Sequence, residues 1–195
     1  MVGVKQFDED IVIEAVLRTF WDKGYCETTM ADLAAASGVQ RGSLYNAYGG
    51  KDRLLLMSLE RYGERYGAAA ERALEKSSPR EAMKAFLESH LDRMLNPKNP
   101  AGCLMCQTVM ECSGRDDALT DFISRHFQRV EMAIRETLCR GRDGGLLRGD
   151  VDVRSLARFF LGVSRGMAVL HRAYGDIEPA RDMAKAALKL IDMES

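Results

Sequence analysis

TMADLAAASGVQRGSLYNAYGGK, residues 29–51, is the stretch whose reading decides the fold. Thr29 offers a hydroxyl N-cap and Asp32 an acidic side chain three residues later, an approximation of a capping box with Asp in place of the usual Glu. This pair opens a short helix that ends near Ser37-Gly38. A second short helix is predicted from about Gln40 to Ala47, where Gly49-Gly50 breaks it. Two short helices joined by a glycine turn have the shape of a helix-turn-helix. Ala34 is small where the helices must cross, Gly38 suits a turn with positive φ, and Val39 and Leu44 fill the space between them. The outer face of the second helix then carries Gln40, Arg41, Ser43, Tyr45 and Asn46, which are donors and acceptors suited to phosphates and base edges. Gly42 adds no side chain, so a nucleic-acid strand can approach the backbone closely. Any small helical domain can show Ala-x3-Gly with a few polar residues, so this pattern alone also fits a plain helical pair.

Working outward, the whole chain reads as helices. Asp8 caps a first helix to Lys23, with Ile13, Val16, Leu17 and Phe20 as one apolar stripe. A long helix is expected from Lys51 to about Lys76, and another from Pro79 to Leu95. Asn96–Gly102 is a loop. Further helices are expected over Cys103–Cys112, Asp116–Arg142, Val153–Tyr174 and Glu178–Met193, with a glycine-rich loop at Gly141–Gly149. The predicted class is all-α: an N-terminal three-helix domain (residues 1–50) joined through the long helix to a C-terminal domain (residues 51–195).

The bulk properties exclude several classes. The 195 residues suit one domain, or a small one joined to a larger, and at this size about 70% of the unfolded surface is buried. With 46% apolar and 29% charged residues, the composition is that of a globular protein. The formal net charge of −1 gives no overall basic field, so a nucleic-acid reading must rest on a local group. Gly38–Arg53 has three basic residues against one acidic, whereas Met1–Tyr62 has seven against nine. The N-terminus lacks the apolar core of a secretory signal, and no run approaches 18 apolar residues, which together place the chain in the cytoplasm. Five Cys, an odd count in a helix-rich chain, are expected to be reduced thiols.

Residues 13–55, IEAVLRTFWDKGYCETTMADLAAASGVQRGSLYNAYGGKDRLL, resemble the DNA-binding domain of the TetR family of transcriptional regulators. The resemblance runs without a gap through Ala15, Phe20, Gly24-Tyr25, Thr28-Thr29, Asp32-Leu33-Ala34, Gly38-Val39, Gly42-Ser43-Leu44-Tyr45, Tyr48, Lys51 and Leu54-Leu55. It implies a helix-turn-helix that reads operator DNA and a C-terminal domain that binds a ligand and dimerises. The DNA-contacting set it implies here is Thr29, Gln40, Arg41, Gly42, Ser43, Tyr45, Asn46, Tyr48 and Lys51. Thr29 and Lys51 would hold phosphates, and Tyr45 and Tyr48 would meet phosphates or base methyls. The sequence departs from the family pattern at Ala47, where His is frequent, and at Tyr48, Ser43 and Gln40, where Phe, Thr and Ser are commoner. Ala47 removes one contact.

The resemblance also implies a homodimer, most simply a repressor, released from operator double-stranded DNA by a small apolar or electrophilic inducer. Leu156, Phe159, Phe160, Val163, Met167 and Leu170 make a wide apolar stripe, with Gly162 and Gly166 four apart. With Ala184, Ala187, Leu188 and Ile191 this stripe is either a core face or a dimer interface; the family favours the interface. Candidate ligand-binding residues are Met57, Met83, His90, Met94, Cys103, Cys106, Met110 and His126; Met105 and Met132 lie on the same helices. Each Met and His reads equally as core. Cys103 and Cys106 open a helix, so they are either small buried residues or reactive sensor thiols of the kind found in a subgroup of the family. The alternative function is a thiol-based redox protein using that pair, although the βαβ setting of such a motif is missing. A scaffold that binds only protein is the other rival. One C-x2-C without a second pair implies no metal, and no catalytic motif or cofactor signature is present.

Overall fold

The protein is described here by a computed structural model, over residues 8–112 and 117–193. The helices in chain order are α1 (Glu9–Lys23), α2 (Met30–Ser37), α3 (Arg41–Tyr48), α4 (Lys51–Tyr62), α5 (Ala68–Ala73), α6 (Pro79–Leu95), α7 (Leu104–Cys112), α8 (Asp117–Asp143), α9 (Val153–Tyr174) and α10 (Glu178–Met193). No strand occurs among the described residues, and no helix there is long and apolar enough to cross a membrane. The expected single helix from Lys51 to Lys76 is interrupted. Gly63–Gly67 winds as a π-turn between α4 and α5, where two glycines weaken the regular helical path.

The chain forms two compact units, Met1–Glu64 with Leu104–Thr120, and Arg65–Cys103 with Asp121–Ser195. The division lies inside the interrupted helix, fourteen residues past the expected boundary at residue 50, and it places α7 in the first unit.

In the first unit α1 packs against α2, α4 and α7, and α2 packs against α3. Asp8 caps α1 by accepting the Asp10 N–H at 2.9 Å. The buried stripe of α1 is Val12, Ile13, Val16, Leu17, Phe20 and Trp21. Trp21 meets the edge of the Tyr62 ring with centroids 5.0 Å apart. From α4 come Leu54, Leu55 and Leu59, and from α7 Leu104, Met105, Thr108 and Cys112. Full burial of one such aliphatic side chain contributes about 1.5–3 kcal/mol, which is what holds helices of eight or nine residues in place.

In the second unit α6 packs against α5, α9 and α10, and α9 against α10. Ser78 caps α6 and Pro79 occupies its first turn. Phe86, Met83 and Leu87 of α6 are buried with Ala157, Phe160 and Met167 of α9 and Ala180, Ala187 and Ile191 of α10. The wide stripe expected on α9 therefore splits. Phe160, Val163 and Met167 turn inward, Leu156 and Leu170 are half-buried and Phe159 is exposed, as is Val169 beside the stripe. The glycines divide likewise: a Cβ on Gly166 would lie 3.0 Å from Met183 Cε of α10, and one on Gly162 would meet open space. Gly166 is thus accounted for by packing within the chain.

Gly141, near the end of α8, faces the start of α6. A Cβ there would lie 3.1 and 3.2 Å from Pro79 Cβ and Cδ and inside van der Waals distance of Cγ. The proline ring cannot swing aside. Gly141→Ala is expected to lower stability by about 1–3 kcal/mol despite the better helix propensity of Ala. A denaturation midpoint equal to or above that of the parent protein would contradict this packing.

Candidate nucleic-acid interface and ligand-binding residues

Leu33 of α2, Val39 in the turn and Leu44 of α3 are all buried, and together they fix how α3 sits on the first unit. The turn depends on Gly38, which caps α2 at φ 69 and ψ 10, in the left-handed region. Leu44 and Tyr48, four apart, form the inner edge of α3. The opposite side leaves Gln40, Arg41, Gly42, Ser43, Tyr45 and Asn46 exposed. No acidic residue occupies the first turn of α3, and Gln40 makes no capping bond with its side chain. The amide end of the helix, the guanidinium of Arg41 and the open space beside Gly42 thus share one corner. The Arg41 guanidinium lies 5.8 Å from the Tyr45 ring centroid, which holds two of the exposed side chains together.

Three expected contacts differ in detail. Tyr48 is 6% exposed and belongs to the packing side of α3, one helical turn from Leu44, so it does not join the outer face. The Thr29 hydroxyl donates to Asp32 Oδ2 at 2.5 Å and accepts the Asp32 N–H at 3.2 Å; the Thr29 N–H donates to Asp32 Oδ2 at 2.8 Å. This is the reciprocal capping box, made with Asp. Lys23 bridges the same carboxylate at 2.6 Å. The Lys23 ammonium and the Thr29 hydroxyl together hold Asp32 well below the usual carboxylate range. What Thr29 leaves for a phosphate is the amide end of α2 rather than a free hydroxyl proton. Lys51 sits at the start of α4 with Nζ 4.1 Å from the Tyr25 ring centroid, and the Tyr25 hydroxyl donates to Asp52. Tyr25 is thus a positioning residue that the sequence reading did not single out. The Gly24-Tyr25 pair was its only trace, because an aromatic in a turn does not announce the lysine 26 residues later.

A second missed residue is Glu111 of α7. Its Oε2 accepts the Cys26 N–H at 2.7 Å, in the turn between α1 and α2. Gly24 caps α1 at φ 87, and a Cβ on it would lie 2.6 Å from Gln107 Nε2. The end of α7 is therefore pinned to the turn that leads into α2.

The candidate ligand residues are divided between the two units. Met83, His90, Met94, Cys103 and His126 are buried in the second unit. Met57 is half-buried on α4 and Cys106 half-buried on α7, both in the first unit. Met110 is 84% exposed, because the inner side of α7 is made by Leu104, Met105, Thr108 and Cys112. Met132 is also exposed, and Met105 is core. Neither Met110 nor Met132 is enclosed by this chain. None of the five cysteines is in a disulfide. Burial, reinforced by the charges of Arg165 and Arg93, pushes His90 down to about 3. Burial, then Arg165 and Arg129, push His126 down to about 4.

The comparisons with known proteins agree with this geometry. A family model described as bacterial regulatory proteins, tetR family, matches residues 12–57. A second, described as a tetracyclin repressor-like C-terminal domain, matches residues 79–187. The transcriptional repressor ComR of Escherichia coli (strain K12) is 30% identical over 191 residues, covering 95% of this chain and 90% of its own. The uncharacterized regulator YezE of Bacillus subtilis (strain 168) is 27% identical over 190 residues, covering 96% and 98%. Among solved structures, a cysteine mutant of the TetR-family regulator CifR complexed with 26bp double-strand operator DNA superposes with a TM-score of 0.88. It is 26% identical, with 96% of this chain and 98% of that one covered. A regulator from Chloroflexus aurantiacus, at 21% identity and a TM-score of 0.87 over 95% and 94% of the chains, shows the same fold. These are all regulators, and they give no support to a thiol redox activity.

The two low-lying histidines have a consequence for acid stability. Both are neutral in the folded protein near pH 7, whereas an unfolded histidine takes up its proton near pH 6.5. The unfolded chain therefore binds more protons as pH falls, and stability is lost from about pH 6.5 downward through both folded values. Each group contributes a slope approaching about 1.4 kcal/mol per pH unit below its unfolded value. Urea unfolding at pH 8, 6 and 5 should show this decline, and His90→Gln should make it shallower. A pH-independent stability over that range would mean that the imidazoles are not buried as described.

Proposed function

The chain belongs to the TetR family of bacterial transcriptional regulators, and from that premise we propose that it is a homodimeric repressor whose operator affinity falls when a ligand binds its C-terminal unit. The observation that carries the reading is the outer side of α3. It is held in place by Leu44 and Leu33, carries no acidic residue, and presents Gln40, Arg41, Gly42, Ser43, Tyr45 and Asn46 to solvent. That arrangement is what a recognition helix needs for entry into a major groove. The proposed roles follow from side-chain chemistry. Arg41 and Lys51 neutralise phosphates, together with the amide ends of α2 and α3. Gln40 and Asn46 are suited to paired contacts with adenine, and the Tyr45 ring to a thymine methyl or a phosphate. Gly42 admits the strand.

One such helix reads only a few base pairs. A two-fold pair doubles the site and imposes a palindrome, with half-sites about 34–36 Å apart or at a longer family spacing. The exposed side of α9, with Phe159, Gly162 and Val169, is the proposed self-association surface. The operator complex of CifR and the repressor function named for ComR support the DNA and repressor parts by relationship. The proposed setting is the cytoplasm.

The signal is proposed to travel along the chain itself. The backbone passes between the two units at Glu64–Arg65, Cys103–Leu104 and Thr120–Asp121. Ordering the second unit around a ligand acts on α4 and on α7, and α7 is pinned to the α1–α2 turn by Glu111. A coupling of about 1–3 kcal/mol is sufficient to release DNA.

Gel-shift titration with DNA from upstream of the protein's own coding sequence tests the reading. The wild type should shift it, and Arg41→Ala and Tyr45→Ala should each weaken binding about tenfold or more. Arg41→Ala should also reduce the slope of log K against log salt by about one. Both side chains are exposed, so stability should move by no more than about 0.5 kcal/mol. Unchanged affinity in both variants would remove α3 as the reading element.

A further inference from the structure

The second unit gathers all three histidines of the chain and two inward-lying arginines onto α6, α8 and α9. On α6, His90 and Arg93 lie one turn apart and both are buried. The Nδ1 of His90 is 2.9 Å from the Phe86 carbonyl, which accepts its proton, and the ring meets Phe86 edge-on at 4.7 Å. Arg93 is 6% exposed; it donates to the Gly102 carbonyl at 2.6 Å and lies 5.9 Å from the Tyr66 ring centroid. On α9, the Arg165 guanidinium lies 4.7 Å from the Phe127 ring centroid. Its Nε is buried with no hydrogen-bond partner among the described residues, and the same holds for Nδ1 of His171. His126 of α8 is buried as well.

The charges are one-sided. Arg165 and Arg93 both bear on His90, Arg165 and Arg129 on His126, and Arg93 on His171. Among the described residues, the carboxylates that bear on the histidines include Glu71, already bonded to Arg129 at 2.6 Å, and Asp176, exposed after α9. The Cys103 thiol also bears on His126. A guanidinium whose face rests on an aromatic ring keeps its in-plane N–H groups for a planar anion, and a carboxylate fits them two at a time. Burying the Arg165 Nε–H without an acceptor is costly, and a bound anion would relieve that cost. Met83, Phe86 and Met94 on the same helix as His90 and Arg93 are buried in this unit, apolar groups suited to a hydrocarbon body.

We propose that Arg165 and Arg93, with His90, His126 and His171 beside them, form the effector site of the second unit and that the effector is an amphiphilic carboxylate. The head group binds the arginines, and its aliphatic or aromatic body lies among Phe86, Phe127, Met83 and Met94. This deepens the regulator reading, on which the word effector rests. It also changes the expected ligand from a neutral apolar or electrophilic compound to an anion.

The test uses the full-length protein at fixed ionic strength and pH 7.5, with octanoate and benzoate as probes and octanamide and benzamide as uncharged counterparts. Calorimetry and thermal denaturation should show at least one carboxylate binding and raising Tm, with its amide at least tenfold weaker. Arg165→Gln should abolish the difference, and Arg165→Lys should restore part of it. Arg93→Gln should act alike, and if it fails to fold, the half-buried Arg165 still decides the matter. Carboxylates that bind no better than their amides, or that bind Arg165→Gln as they bind the wild type, overturn the proposal. Gel shifts run in parallel keep the two readings apart. Arg165-dependent carboxylate binding by a protein that never shifts DNA supports this site and refutes the regulator. Operator binding with no preference for carboxylates does the reverse.

Discussion

Burial of Leu44 against Leu33 and Val39 is the interaction on which the rest of the first unit depends. Helix α3 has eight residues, a length at which an isolated helix is marginal in water. It exists because its inner side, with Leu44 and Tyr48 buried, packs against α2. The same burial decides orientation. With Leu44 and Tyr48 turned in, the polar side chains of a helix whose sequence holds no acidic residue are left on the outer face. Fold and function are thus set by one apolar contact. A chain with nearly zero net charge can meet DNA because its positive groups are placed by packing, not because they are many.

The polar interactions around this core act as stops and fasteners. The Thr29–Asp32 capping box starts α2 and Gly38 ends it, so the two short helices cannot drift in register. Lys51 rests on Tyr25, and Tyr25 is tied to the adjacent Asp52 in the first turn of α4. These are exposed or half-exposed contacts and add little to global stability. Their effect is on the entropy of the side chains: a lysine already resting on a ring loses less freedom when it meets a phosphate.

Much of this was legible in the sequence, and where it was not the reason is physical. Capping signals such as Asp8, Thr29 and Pro79 act through neighbours within four residues, and they marked helix starts to within a residue. The inside of α3 was half legible. Leu44 is apolar and unambiguous, but a tyrosine such as Tyr48 serves equally in a core and on a surface, and only the three-dimensional register assigned it inward. Met110 misled for the opposite reason: an apolar residue on a helix with apolar neighbours still falls outside when its angle is wrong. The wide stripe of α9 merged two faces that periodicity alone could not separate. Arg93 and Arg165 were invisible, since an arginine in an amphipathic helix reads as a solvated charge. Its burial is decided by residues beyond the reach of helical periodicity, Gly102 for Arg93 and Phe127 for Arg165.

The membership of α7 in the first unit bears on how such a protein can be taken apart. A cut after Glu64 discards α7, which packs on α1 and α4, and leaves the Cys26 amide without Glu111. Grafting this reading head onto a foreign sensor would therefore mean carrying two separate stretches of chain, the second excised from the middle of the sensor's own sequence. Recombination at a single crossover would strand one without the other.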